Sequence, residues 1–212
     1  MRTILFVVFV SLAAVGIAGA LNCGILSQAD DDDTVPLDDD NTGPNNCGYN
    51  YDQNPGCDES DEACQMALLI NQDRKAHPDE SDCAPAIQWN DNLAQVARQH
   101  SKDMCDTGIF DHVIDGKDPF DRMTDAGINF VAAGENIAMG TDGAYSVADL
   151  EAAFMNEPEC QENHRGNILS RDFTHVGVGV YHCTKDGNLY VTQDFASFDY
   201  SDIRTDPNEY CS

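Results

Sequence analysis

The sequence predicts an α+β domain in which helices flank a central, mainly antiparallel sheet. Three observations carry that reading. Val176, Val178 and Val180 alternate with Gly177 and Gly179, a period of two that marks a strand with one bulky face. Asp186-Gly187 is a tight-turn signal between that strand and residues 189–196, so the pair reads as an antiparallel hairpin. Upstream, apolar residues recur at helical spacing in two stretches, Ala63, Met66, Ala67, Ile70 and then Leu93, Val96, Ala97, His100, Met104. About 140 residues of this kind bury roughly two-thirds of their unfolded surface, enough for one self-sufficient core.

Taken in order, residues 1–20 read as a signal peptide: Arg2, an apolar run over 4–14, and the small-residue site Ala18-Gly19-Ala20. That run is too short to span a membrane, and nothing later approaches spanning length. Residues 21–58 are expected to be an acidic linker without a packed core. Acid runs at 30–33 and 38–40 are followed by Asn41-Thr42-Gly43-Pro44-Asn45-Asn46. Asp38, Asp40 and Gly43 stand at EF-hand offsets, but Tyr49 holds the place of the bidentate glutamate, so a calcium loop is set aside. The domain is expected over 59–198. Its first helix should stop before Pro78, and residues 86–89 form a short extended piece. Asn90 caps the second helix. Thr107-Gly108 is a turn, and Asp118-Pro119 opens a short helix that breaks at Gly127. Residues 129–138 read as a strand interrupted at Gly134. Ser146 and Asp149 cap a helix carrying Val147, Leu150 and Phe154. On the final hairpin, Gly177 and Gly179 leave room for another element to approach the backbone. Residues 199–212 form an acidic tail tied at Cys211.

The formal charge is −27, with 11 Lys+Arg against 38 Asp+Glu, and removal of Arg2 with the signal takes it to −28. That balance argues against nucleic acid or an anionic membrane as partner. Nine cysteines, all beyond the cleavage site, indicate disulfides in an exported chain. An odd count leaves one over, and Cys23 is the natural remainder. A lipid anchor on Cys23 is the alternative localisation, against which Asn22 is a poor preceding residue. No CxxC pair supports a zinc ribbon or a thioredoxin site.

Three polar side chains sit beside turns or glycines, where they can point into a cleft: His112, Glu135 and His164. Two imidazoles and a carboxylate suit a divalent metal such as zinc, and equally suit general acid–base work. Neither an HExxH helix nor a G-x-S-x-G elbow is present, and bridged cysteines supply no nucleophile. Gln193 shares the face of Leu189, Val191 and Phe195, where a buried amide needs partners and would orient a cleft residue. His100, on an apolar stripe, reads as a hydrogen-bonded core histidine; His77, His175 and His182 read as surface residues.

Several stretches resemble the SCP-like domain of the CAP superfamily in its bacterial secreted form. They are Leu69-Ile70-Asn71-Gln72-Asp73-Arg74, Gln88-Trp89-Asn90, Ala97-Arg98-Gln99-His100-Ser101, Asp111-His112 and Pro119-Phe120-Asp121-Arg122-Met123. The GENIAMG run from Gly134 and HRGNIL from His164 complete the set. The resemblance covers residues 63–198. It implies an α-β-α sandwich whose cleft gathers two histidines and acids around a divalent metal, with His112, Glu135 and His164 matching the motif positions. It further implies an extracellular protein that binds a lipid, a sterol or another ligand, or a cell-surface partner. The alternative is a metal-assisted, peptidase-like hydrolase with Glu135 as general base. Two departures stand out. The family's second glutamate, on the helix ending at Met155, falls at Ala152, with Glu151 and Glu157 the nearby acids. The turn before His164 is lengthened and carries Cys160. If the two histidines meet, Cys105 and Cys160 reach the same rim and are expected to bridge, with Cys183 the competing partner.

Overall fold

The structure, a computed structural model, describes residues 47–159, 161 and 163–199. The signal segment, the acid runs, Cys23, Cys160, Cys211 and the tail beyond 199 lie outside the described residues.

Helix α1 (Glu62–Ala76) is capped by Asp61, whose carboxylate accepts from the Ala63 amide. Strand β1 (Gln88–Trp89) leads into α2 (Asp91–Thr107), capped by Asn90 as the sequence indicates and closed by Gly108 in the left-handed region at φ 70°. Then come α3 (Pro119–Asp125), β2 (Ala132–Thr141), α4 (Val147–Met155), α5 (His164–Leu169), β3 (His175–Cys183) and β4 (Asn188–Ser197). Asp118 and Ser146 each make a capping box, which starts α3 and α4 where the sequence places them. The short α5 begins at His164 itself, directly after the lengthened turn.

The sheet order is β1-β3-β4-β2; β1 runs parallel to β3, and the other pairs are antiparallel. Strand β2 is therefore an edge. It runs unbroken through Gly134, which pairs with Phe195, so the expected interruption does not occur. A Cβ at Gly134 would lie 2.9 Å from the Phe173 ring; the glycine makes room for that ring and stays in the ladder.

Side-chain alternation divides the sheet into two faces. Val176, Val178, Val180, Leu189, Val191 and Phe195 pack against Met66 and Ile70 of α1, Phe154 of α4 and Ile168 of α5. On the other face Ala133 and Ala196 meet Leu93 and Val96 of α2 and Met123 of α3. The result is the α-β-α sandwich. Gly177 and Gly179 let α2 lie directly on β3: added Cβ atoms would stand 2.0 Å from Ala94 N and 2.1 Å from Arg98 N.

Among the described residues, disulfides join Cys47–Cys83, Cys57–Cys64 and Cys105–Cys183. The expected Cys105–Cys160 bridge is thus overturned in favour of Cys183. The packing of α2 along β3 brings the last turn of one beside the end of the other, with the Cα atoms 5.6 Å apart. Two of the bridges also hold residues 47–58, part of the stretch read as linker, against the domain. Tyr51 there is buried, and its hydroxyl donates to Ala84 O at 2.6 Å. Among the described residues no helix is long and apolar enough to cross a membrane.

Candidate functional site

The site is built around edge strand β2, whose neighbouring residues Glu135 and Asn136 point to opposite layers. Glu135 faces the α2–α3 layer and is 4 % exposed. The Asp118 capping box and Pro119 fix the start of α3 and so place Arg122 one turn in. Arg122 Nη1 donates to His112 O at 2.7 Å and Lys117 O at 3.0 Å, while Nη2 donates to Glu135 Oε2. His112 Nδ1 lies 2.7 Å from Glu135 Oε1. Both carboxylate oxygens of Glu135 are thus engaged. Burial would push its carboxyl up, but the His112 hydrogen bond and the neighbouring His100 and Arg122 outweigh that and hold it below its ordinary value.

Two further buried groups join this side. His100, expected as a hydrogen-bonded core histidine, is buried, but neither ring nitrogen has a hydrogen-bond partner. Its Nε2 stands 3.8 Å from Glu135 Oε1, and burial lowers its pKa to about 4, so it is neutral at pH 7. Asp194 is paired opposite Glu135 in the β2–β4 ladder. Burial and the Glu135 charge push its carboxyl well above the usual carboxylate range. In the sequence this acid shows only as the last of three consecutive polar residues, Thr192-Gln193-Asp194, inside an otherwise apolar strand.

His164 comes from the other layer, as the first residue of α5. Asn163 caps that helix, accepting from Gly166 N at 2.8 Å, and its own amide donates to Pro158 O at 2.9 Å. His164 Nδ1 lies 2.6 Å from Glu157 Oε1, and its backbone N–H donates to Glu157 Oε2 at 2.9 Å. The ring packs on Phe154 at 4.6 Å. The acid that meets His164 is thus Glu157, just past α4, while Glu151 is buried against Gln193. Gln193 is buried, and its side-chain amide finds the partners that burial requires. Its Nε2 donates to Glu151 Oε2, and its Oε1 accepts from Asn136 Nδ2 at 2.9 Å. Asn136 Nδ2 also donates to His164 O at 3.1 Å, and Asn167 Nδ2 donates to Asn136 Oδ1 at 2.8 Å. This amide chain ties α5 to β2.

Two arginines anchor the same segment. The buried Arg74 donates to the carbonyls of Pro85, Ile168, Ser170 and Phe173. Arg165 pairs with Glu80 and donates to Met155 O. Of the remaining histidines, His182 is exposed between Glu62 and Asp142, whereas His77 and His175 are half-buried rather than on the surface.

Of the three residues singled out in the sequence, His112 and Glu135 thus form a contact pair, whereas His164 pairs with Glu157 on the other side of β2. Among the described residues no group of three His, Cys, Asp or Glu side chains is gathered as a ready metal ligand set. What the two pairs share is chemistry. Each imidazole has Nδ1 on a carboxylate, and His112 Nε2 and His164 Nε2 are both buried with no hydrogen-bond partner. Metal-bound histidines characteristically give their other ring N–H to a carboxylate. Each imidazole therefore has the donor chemistry of a metal ligand, with Glu135 orienting His112 and Glu157 orienting His164.

Comparison with known proteins agrees with this architecture. An extracellular SCP-domain protein of Bacillus anthracis is 34% identical with a TM-score of 0.51, covering 64% of this chain and 40% of that one. An outer surface protein of Borrelia burgdorferi shares the fold at 17% identity and a TM-score of 0.54, covering 66% of this chain and 96% of that one. The uncharacterized protein YkwD of Bacillus subtilis is 39% identical over 108 residues, which are 50% of this chain and 38% of that protein. The chain therefore spans little more than a third of that curated relative. The profile of the cysteine-rich secretory protein family matches residues 68–195, more than half of the 212 residues. With that match, an α-β-α sandwich and the GEN and HRGN segments at its edge strand, the chain belongs to the cysteine-rich secretory protein (CAP) family.

Proposed function

We propose that this chain is an exported CAP domain that binds a divalent metal, zinc above all, through His112 and His164, and binds a ligand at that same site beside β2. The observation that carries the reading is the pair of buried, unpartnered Nε2 atoms, each on an imidazole whose Nδ1 is held by a carboxylate. Two protein ligands leave coordination positions open for water or for polar groups of a lipid, a sterol or a cell-surface partner. The metal's contribution when bound is that of a Lewis acid. Export is supported by the signal-like first 20 residues and by the likeness to an extracellular SCP-domain protein.

Binding is favoured over peptide hydrolysis by the state of Glu135. A general base needs a free oxygen facing the proton it takes. Glu135 has one oxygen on His112 and the other on Arg122, and its carboxyl is held low. Zinc titration of the mature protein by calorimetry tests the reading. About one zinc per chain is expected, with His112→Ala or His164→Ala each lowering affinity at least tenfold while thermal unfolding stays cooperative. A folded double variant that still binds stoichiometric zinc sinks it.

A further inference from the structure

Arg122 has a part in this site that goes beyond folding. Among the described residues it is the one side chain that hydrogen-bonds both halves of the His112–Glu135 pair, gripping Glu135 Oε2 with Nη2 and His112 O with Nη1. Its second Nη1 bond, to Lys117 O at 3.0 Å, holds the far end of the 112–117 loop. That loop turns through Asp115 and Gly116 at φ 54° and 74° and closes on itself by an Ile114–Lys117 bridge. The guanidinium fork thus sets the position of the imidazole and that of its acceptor together.

The fork also bears on which ring nitrogen carries the proton. A guanidinium only donates, so Oε2 of Glu135 is an acceptor, and the remaining oxygen, Oε1, faces His112 Nδ1 at 2.7 Å. With Glu135 accepting on both sides, the neutral imidazole meets it with an Nδ1–H. Its Nε2 then keeps the lone pair. The opposite tautomer would set an Nδ1 lone pair against a carboxylate oxygen and leave a buried Nε2–H with no acceptor.

We propose that Arg122 is the positioning residue of this site: by occupying one oxygen of Glu135 it commits the other to the Nδ1 proton of His112 and so keeps Nε2 free to ligate. The metal half of this inference rests on the function proposed above, but the tautomer half does not. On this view Glu135 orients the ligand and is not one itself.

The test is long-range ¹H–¹⁵N NMR of the histidine rings in metal-free protein at pH 8, with zinc affinity measured alongside, for wild type, Arg122→Gln and Arg122→Lys. Wild type should show His112 as the Nδ1–H tautomer. Arg122→Gln should mix the tautomers of His112 while leaving His164 unchanged, and should weaken zinc binding about 10- to 100-fold, as loss of an orienting partner does at metal sites. Arg122→Lys keeps a charge but not the fork and should fall between. If wild-type His112 carries its proton on Nε2, the proposal is overturned even should the variants not fold. A folded Arg122→Gln protein with unchanged tautomer and zinc affinity overturns it as well. A locked wild-type tautomer that is lost in the variant, in a protein that takes up no zinc, supports the positioning role and removes the metal reading alone.

Discussion

Glu135 and Glu151 are both buried carboxyls, yet their neighbours drive them in opposite directions. Glu135 meets an imidazole and a guanidinium, and these overcome the effect of burial. Glu151 meets the amide of Gln193, while burial first and the Asp73 carboxyl second push it well above the ordinary value of 4.5. The folded state therefore holds a proton on Glu151 that the unfolded chain has released. Its contribution to stability is fully present below pH 4.5 and is lost as pH rises toward the elevated folded value. Glu151→Gln keeps an oxygen for Gln193 and offers an amide to Asp73 without a charge to desolvate. Its unfolding temperature should gain on wild type steadily between pH 4.5 and 8, followed by calorimetry. Parallel curves for the two proteins would refute the assignment. None of this was legible in the chain order: Asp73 and Glu151 are 78 positions apart (151 minus 73), and only the packing of α1 on α4 makes them neighbours.

At the scale of elements, the closeness of α2 to β3 does most to fix the site, because α2 carries His100 to Glu135. The alternation of valine with Gly177 and Gly179 announced both the strand and its bare face, and α2 fills that face. Gly179→Ala would place a methyl 2.1 Å from Arg98 N and 2.2 Å from Ala97 C, backbone atoms that cannot rotate away. The cost should reach or exceed the upper end of the ~1–3 kcal/mol typical of overpacking. Urea unfolding measures it, and a loss below half a kcal/mol, on the same overpacking scale, would show that α2 lifts freely. Gly134 misled because glycine weakens a strand in isolation, whereas here the Phe173 ring occupies the missing methyl's space. The acid beside His164 was ambiguous for a related reason. Helical spacing selects candidates within α4, but Glu157 lies past its end, where the turn back toward α5 decides which carboxylate reaches the imidazole.

For the whole molecule, Cys105–Cys183 is the longest of the described covalent ties, with a sequence separation of 78. Constraining so long a loop in the unfolded chain stabilises by roughly 4–5 kcal/mol on the entropy model. The Cys105→Ala/Cys183→Ala double variant should lose stability on that order in denaturant. Peptide mapping of the oxidised protein should recover the two cysteines in one linked fragment, and Cys105 found on another partner contradicts the pairing. By itself the sequence determined the α+β class, most of the helix starts, the final hairpin, the bare glycine face and the family resemblance. These depend on local propensity, capping and side-chain period, which act over a few residues and are written in consecutive positions. The tertiary structure alone decided which cysteine meets Cys105, which acid holds His164, that Arg122 and His100 converge on Glu135, and that Asp194 stands opposite it. Those contacts join residues far apart in the chain. They are set by the order of strands in the sheet and by the layer each helix covers, neither of which leaves a periodic mark in the sequence.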